Sequence, residues 1–144
     1  MTITVRKAQI QDIPALLEMN EDFNGPGSTA ESMADSLTNN KNEVVFVAVH
    51  DGKIVGFACG LMYQSICYSD DLQGELTELY VRSGYRRHGA ATKLVEHIER
   101  EFAKNNVHDI ILKTGIGNKA ARRFYESRGY TDYEEVVYHK EVYP

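Results

Sequence analysis

Residues 85–92 read YRRHGAAT and, with Arg82 and Lys93 on either side, gather positive charge with no acid between them in a chain of formal net charge -5. Arg86, Gly89 and Ala91 fit the spacing R-x-x-G-x-A directly before an amphipathic stretch. The chemistry this suits is the seating of a phosphate or pyrophosphate. A helix N-terminus leaves its first N–H groups unpaired and carries the positive end of the helix dipole. Gly89 lets the backbone pass close to an anion, and Ala90 and Ala91 keep side chains out of its way. Arg86, Arg87 and His88 add a positive rim, and Thr92 completes the first turn. On its own the pattern also describes a solvated basic loop.

A second glycine loop, GIGNKA from Gly115 to Ala120, matches G-x-G-x-x-A after a strand, the fingerprint of a dinucleotide site. That fold needs further βαβ units, and too little chain follows Ala120 to build them. A plain strand-to-helix turn is the simpler reading. No P-loop spacing is present. Cys59 and Cys67 lie in apolar neighbourhoods without metal-ligand spacing, so they read as buried free thiols and no metal is expected.

The elements that must position these loops follow from periodicity. ITVRKA (3–8) alternates as a first strand, and a helix opens at Asp12 with Pro14 in its first turn. Ser28 with Glu31 forms a capping-box pattern for a second, short helix. VVFVAVHDGKIVGFACGLMY is a hairpin about Asp51-Gly52, giving antiparallel strands two and three. ELTELYVR (75–82) is strand four. A helix from about Gly89 to Asn105 follows, with Ala91, Leu94, Val95, Ile98 and Phe102 on one face. HDIILKT (108–114) is strand five, KAARRFYESRG is a helix closed by Gly129, and YTDYEEVVYHKEV carries one or two final strands.

This order describes an α/β (α+β) fold, a mixed and mostly antiparallel central sheet of six or seven strands with about four helices on its faces. Strand four, its helix and strand five form a βαβ crossover, so those strands should be parallel neighbours. The length of 144 residues suits one domain spanning 1–144. With 42% hydrophobic and 26% charged residues the composition is that of an ordinary globular protein. No apolar run approaches the roughly 20 residues of a membrane span. The first residues lack a secretory core, which places the chain in the cytoplasm. The acidic balance argues against nucleic-acid binding, which rests on phosphate neutralisation, and favours a cationic small substrate. A homodimer through the final strands is open to such a chain.

ELYVRSGYRRHGAATKLVEHIE resembles the acetyl-CoA motif of the GNAT family of N-acetyltransferases: a strand ending L-x-V, a short loop, R-x-x-G-x-A and a helix. NKAARRFYESRGY resembles the family's next motif, N-x-x-A-x-x-F-Y-x-x-x-G-Y, in the right order and at the right distance. The match covers most of residues 44–130.

The resemblance implies an acyl-CoA N-acyltransferase fold and acetyl-CoA as co-substrate, with no metal. It implies that the backbone of Leu79, Tyr80 and Val81 binds the acetyl and pantetheine arm beside a β-bulge, and that Arg86 to Thr92 cradle the pyrophosphate. Asn118 matches a position touching the cofactor arm, and is equally a helix N-cap. Tyr125 matches the tyrosine that protonates the departing thiolate. The base that takes the acceptor's proton is expected to be Glu78 first and Glu75 second. The two are three apart, so strict alternation puts them on opposite faces unless a bulge intervenes. Asp70 and Asp71, with Glu21 and Asp22, are candidates for an acidic acceptor pocket. The activity implied is direct transfer of acetyl to a primary amine of a small cationic molecule, aminoglycoside- or polyamine-like. Acetylation of protein lysines or N-termini, and a non-catalytic acyl-CoA sensor, are the alternatives.

Overall fold

The structure, a computed structural model, describes residues 1–144. The chain divides into two compact units, residues 1–113 and residues 114–144. In the first unit the strands are β1 (Thr4–Lys7), β2 (Glu43–His50), β3 (Lys53–Tyr63), β4 (Leu72–Val81) and β5 (Val107–Leu112). The helices are α1 (Ile13–Asn24), α2 (Ala30–Asn39) and α3 (Ala90–Lys104). The second unit contains α4 (Lys119–Ser127).

The sheet runs β1-β2-β3-β4-β5 in space. The first three pairings are antiparallel and β4-β5 is parallel, as the α3 crossover requires. The sheet has five strands, not six or seven: residues 130–144 form no strand. In the tail Val136, Val137 and Tyr138 are consecutive between charged neighbours, so neither face of a strand there would be cleanly apolar. They lie 73%, 72% and 91% exposed. A strand without a paired ladder and a covered face has little to hold it. The final strands through which a homodimer could form are therefore not present.

One face of the sheet is covered by α3. Its 3.6-residue stripe buries Ala90, Leu94, Val95, Ile98 and Phe102. Phe102 lies against Gly60 and Gly74, where an added Cβ would come within 2.7 Å of the ring or of its neighbour Val107. Each fully buried side chain of this size contributes about 1.5–3 kcal/mol. The other face packs under α1 and α2. Ile13, Leu16 and Met19 join Val47, Phe57 and Tyr80 in one cluster, with Met33 and Leu37 of α2 against it. The cap of α2 is Thr29 with Ser32, not Ser28 with Glu31: Thr29 is the residue with extended backbone, and its Oγ1 accepts from Ser32 N at 3.0 Å. Cys67 also departs from expectation, exposed in the loop before β4. The turn containing Ser65 to Tyr68 places it on the outside.

The start of α1 is pinned by Asp12, which is only 4% exposed. Its carboxylate accepts from both terminal nitrogens of Arg6, at 2.7 and 2.9 Å, and from Gln9 N at 2.8 Å. The bidentate guanidinium, against an opposing cost of burial, holds the Asp12 carboxyl below the usual carboxylate range. Because the folded pKa lies below the unfolded one, the stability this adds is complete above the unfolded value near 4. It is lost as pH falls through the lowered folded value. Asp12→Asn should cost about 2 kcal/mol at neutral pH. In thermal melts against pH the gap between variant and parent should close on acidification, and a gap that stays constant to low pH would refute the ion pair as its source.

Candidate active site

Along β4 the ladder to β5 runs from Leu72 to Leu76 and stops there, since β5 ends at Leu112. Residues 77–81 keep β3 on one side and have no strand on the other, so alternate peptide groups at that edge lack a ladder partner. The change begins at a bulge: Cys59 faces Glu78 and Gly60 faces Leu76, leaving Thr77 as the extra residue. Thr77 Oγ1 turns back to donate to Cys59 O at 3.2 Å. The carbonyl of Val81 is engaged by Arg86 Nε at 2.8 Å. The Arg86 guanidinium sits 5.8 Å from the centre of the Tyr80 ring. Arg86 thus ties the loop to the strand, a role its motif position does not reveal.

Beyond that tie the backbone turns twice into the left-handed region, at Arg87 (φ 64) and at Gly89 (φ 82). Gly89 is the N-cap of α3 and no side chain caps it. The first-turn N–H groups of Ala90, Ala91 and Thr92 therefore remain for another acceptor. Arg87, His88 and Gly89 are exposed and Ala90 is buried. Lys93 is directed elsewhere, its Nζ donating to Ile3 O at 2.7 Å. A free strand edge followed by an uncapped helix start suits a ligand with an amide-bearing arm and a phosphate, which is the form of a coenzyme A thioester.

The bulge also decides where the carboxylates point. Cys59 and Leu61, two apart on β3, share a face, and Glu78 and Glu75 are their register partners. Glu75 and Glu78 therefore lie on one face, the face under α1 and α2. Glu75 is 3.8 Å from Lys113 Nζ and lies near Tyr63. Glu78 accepts from Asn24 Nδ2 at 3.3 Å, and Asn24 also donates to Asn20 at 2.8 Å. Glu43 of β2 joins them on this face, because it pairs with Leu61. Burial, and then the charge of Glu78, raise its carboxyl pKa. The same surroundings push the Cys59 thiol well up, burial first, so it stays protonated and is no nucleophile.

Glu43, Glu78, Asn20, Ser36 and Cys59, with apolar residues of both helices and of β2 and β3, line a cavity of about 140 Å³. Of the expected acidic acceptor residues, Asp22 accepts a hydrogen bond from the Tyr80 hydroxyl beside it, which with burial raises the phenol's pKa. Glu21 is exposed on the last turn of α1. Asp70 and Asp71 are exposed before the start of β4, at the far end of the strand from Val81, and neither lines the cavity. Asn20, Asn24 and Glu43 were not singled out from the sequence. For Glu43 a signal existed, since alternation in EVVFVAVH puts it on the face of Val45 and Val47.

In the second unit Asn118 is the N-cap of α4, its Oδ1 accepting from Ala121 N at 3.1 Å. Tyr125 is half-buried, its ring edge-on to Phe124 at 5.3 Å and to Tyr130 at 5.8 Å between centroids. Burial raises its phenol pKa above the ordinary value of 10.0, so it holds its proton at neutral pH. The Gly115–Ala120 loop leads directly into α4, the strand-to-helix turn of the simpler reading.

A sheet that opens beside β4 and an uncapped glycine-led helix after it define an acyl-CoA-binding α+β architecture. The chain belongs to the Acetyltransferase (GNAT) family, which it matches over residues 13–130. It is 30% identical over 130 residues to an uncharacterized N-acetyltransferase of Methanocaldococcus jannaschii, covering 89% of this chain and 78% of that protein. It is 29% identical over 94 residues to N-alpha-acetyltransferase 30 of Schizosaccharomyces pombe, covering 65% of this chain and 61% of that protein. The chain thus spans about three fifths of the first curated relatives, 61% for that protein and 58% for an uncharacterized N-acetyltransferase of Mycobacterium bovis. Among solved structures, an aminoglycoside acetyltransferase from a soil metagenomic sample, in complex with sisomicin, superposes with a TM-score of 0.84 at 19% identity, covering 99% of this chain and 97% of that one. A predicted acetyltransferase with acetyl-CoA from Clostridium acetobutylicum gives 0.76 at 21% identity, covering 96% of each chain.

Proposed function

We propose that this chain transfers acetyl from acetyl-CoA to a primary amine of a small cationic molecule by direct attack. The observation that carries this is the β4 edge left free beyond Leu76, running into the uncapped start of α3 at Gly89. Acetyl-CoA supplies the thioester. The backbone of Leu79, Tyr80 and Val81 binds its arm, and the amides from Gly89 to Thr92 bind its pyrophosphate. Glu78 takes a proton from the acceptor's ammonium, directly or through water. The amine nitrogen then bonds to the acetyl carbon and releases its second proton to solvent, and the carbon–sulfur bond breaks with its electron pair on sulfur. Tyr125 gives that sulfur a proton. The carboxylates about the cavity suit a cationic acceptor, and one similar solved structure is an aminoglycoside acetyltransferase. Acetylation of peptide N-termini is the second reading, favoured by the similarity to an N-alpha-acetyltransferase.

Isothermal titration with acetyl-CoA, followed by a thioester-consumption screen across aminoglycosides, polyamines, amino acids and lysine peptides, tests this directly. Absence of acetyl-CoA binding would end the reading. A protein that binds acetyl-CoA with no turnover on any amine would be the acyl-CoA sensor.

Tyr125→Phe should lower kcat by about 10²-fold, as loss of a general acid does, with acetyl-CoA affinity unchanged. The raised phenol pKa fixes the sign: the parent keeps its acid through neutral pH and loses it only in strong alkali, so the deficit should be flat with pH and narrow at the alkaline end. Equal kcat for variant and parent at every pH would remove the general-acid role alone.

A further inference from the structure

Glu43 is a half-buried carboxylate with no hydrogen-bond or ion-pair partner, and the charge that acts on it is the like charge of Glu78. A carboxylate taken out of water without a partner is costly unless something else compensates it. It lines the cavity beneath α1 and α2, to which no lysine or arginine contributes. Glu43 and Glu78 stand on the two strands that flank β3, offset by two residues along it. Strand spacing and rise put their Cα atoms roughly 12 Å apart. The rest of the lining is mostly apolar, with Val45 and Phe57 from the sheet and Leu16, Met33 and Leu37 from the helices, beside Asn20, Ser36 and Cys59. A cavity of about 140 Å³ is close to the roughly 150 Å³ apolar cavity that takes benzene, an occupant of six heavy atoms.

We propose that the acceptor is a linear diamine whose reacting nitrogen lies at Glu78, whose methylene chain fills the apolar cavity, and whose second ammonium is held by Glu43. This rests on the acetyltransferase reading and sharpens its acceptor. Glu43 is then a positioning residue, which binds the end of the substrate that does not react. A four- to five-carbon diamine matches both the volume and the separation of the carboxylates, whereas a multi-ring polyhydroxylated amine exceeds that volume and has only Asn20 and Ser36 to meet its hydroxyls. The chemistry at Glu78 is the acetyl transfer already described and yields the monoacetylated diamine.

The test compares 1,4-diaminobutane and 1,5-diaminopentane with butylamine and pentylamine, which keep the chain and lack the second ammonium. With saturating acetyl-CoA, kcat/KM for the diamines should exceed that of the matched monoamines about tenfold or more, as one charge-assisted contact allows. Glu43→Gln, nearly isosteric, should remove that advantage, so that each diamine is used no better than its matched monoamine. Leu37→Phe, which narrows the cavity without touching charge, should weaken use of all four. Circular dichroism and acetyl-CoA titration of each variant separate loss of fold from loss of acceptor. Monoamines used as well as diamines, or Glu43→Gln lowering all four amines equally, would overturn the diamine assignment and leave acetyl transfer standing. No transfer to any amine would overturn both.

Discussion

Replacing Glu78 with Gln should lower kcat by about 10²–10⁴-fold, some 3–5 kcal/mol of transition-state stabilisation, and leave acetyl-CoA affinity unchanged. The substitution keeps the size of the side chain and its capacity to accept from Asn24 Nδ2, so the fold about the bulge has no reason to change. What it removes is the ability to take a proton. The acceptor enters as an ammonium, and an alkylamine has a pKa near that of lysine, about 10.4. Without a base the variant depends on the small fraction of amine already neutral, so its residual rate should climb about tenfold per pH unit while the parent's does not. That slope is the decisive readout, because a merely structural carboxylate would lower the rate at every pH alike. Glu75→Gln provides the contrast. Glu75 lies on the same face but beside Lys113 and Tyr63, and its loss should cost less and leave the pH slope as in the parent. A Glu78→Gln enzyme with the parent's kcat would move the base elsewhere, and Glu75 would be the next residue to replace.

The elements that sequence reading located well are those whose pattern is local. The β2-β3 hairpin, the α3 stripe and the β4-α3-β5 crossover depend on alternation, on a 3.6-residue period and on chain handedness, all visible in neighbouring residues. The tail shows the limit of the same signal. Its β-rich composition is real, yet residues 130–144 form no strand, since a strand also needs a partner and a covered face. The site depends on relations that no single segment displays. That Glu75 and Glu78 share a face follows from one extra residue, Thr77, and that extra residue is defined only by the register of β3 against β4. Glu43 reaches the same face through a third strand. Arg86 matched a motif and so read as part of the pyrophosphate seat, while its side chain binds the carbonyl of Val81 five residues earlier.

Gly89→Val should weaken acetyl-CoA binding by roughly 100-fold, about 2.7 kcal/mol, while lowering thermal stability far less than a core substitution would. Gly89 sits at φ 82, a region that a β-branched residue enters at a cost of about 1–3 kcal/mol. That cost falls on the folded state whether or not a ligand is present. Room is not the difficulty, because a Cβ built at Gly89 meets nothing within 4 Å. The same open space is where an anion must come to reach the N–H groups of Ala90, Ala91 and Thr92, so the added side chain stands in the path of the phosphates. Gly89→Ala separates the two effects, for it carries backbone strain with little bulk. If the position matters for anion approach, affinity should fall steeply from Ala to Val while the melting temperature falls only slightly between them. If Gly89 serves only the chain's turn into α3, affinity and melting temperature should decline together across Gly, Ala and Val, and the pyrophosphate seat would have to be sought away from this helix.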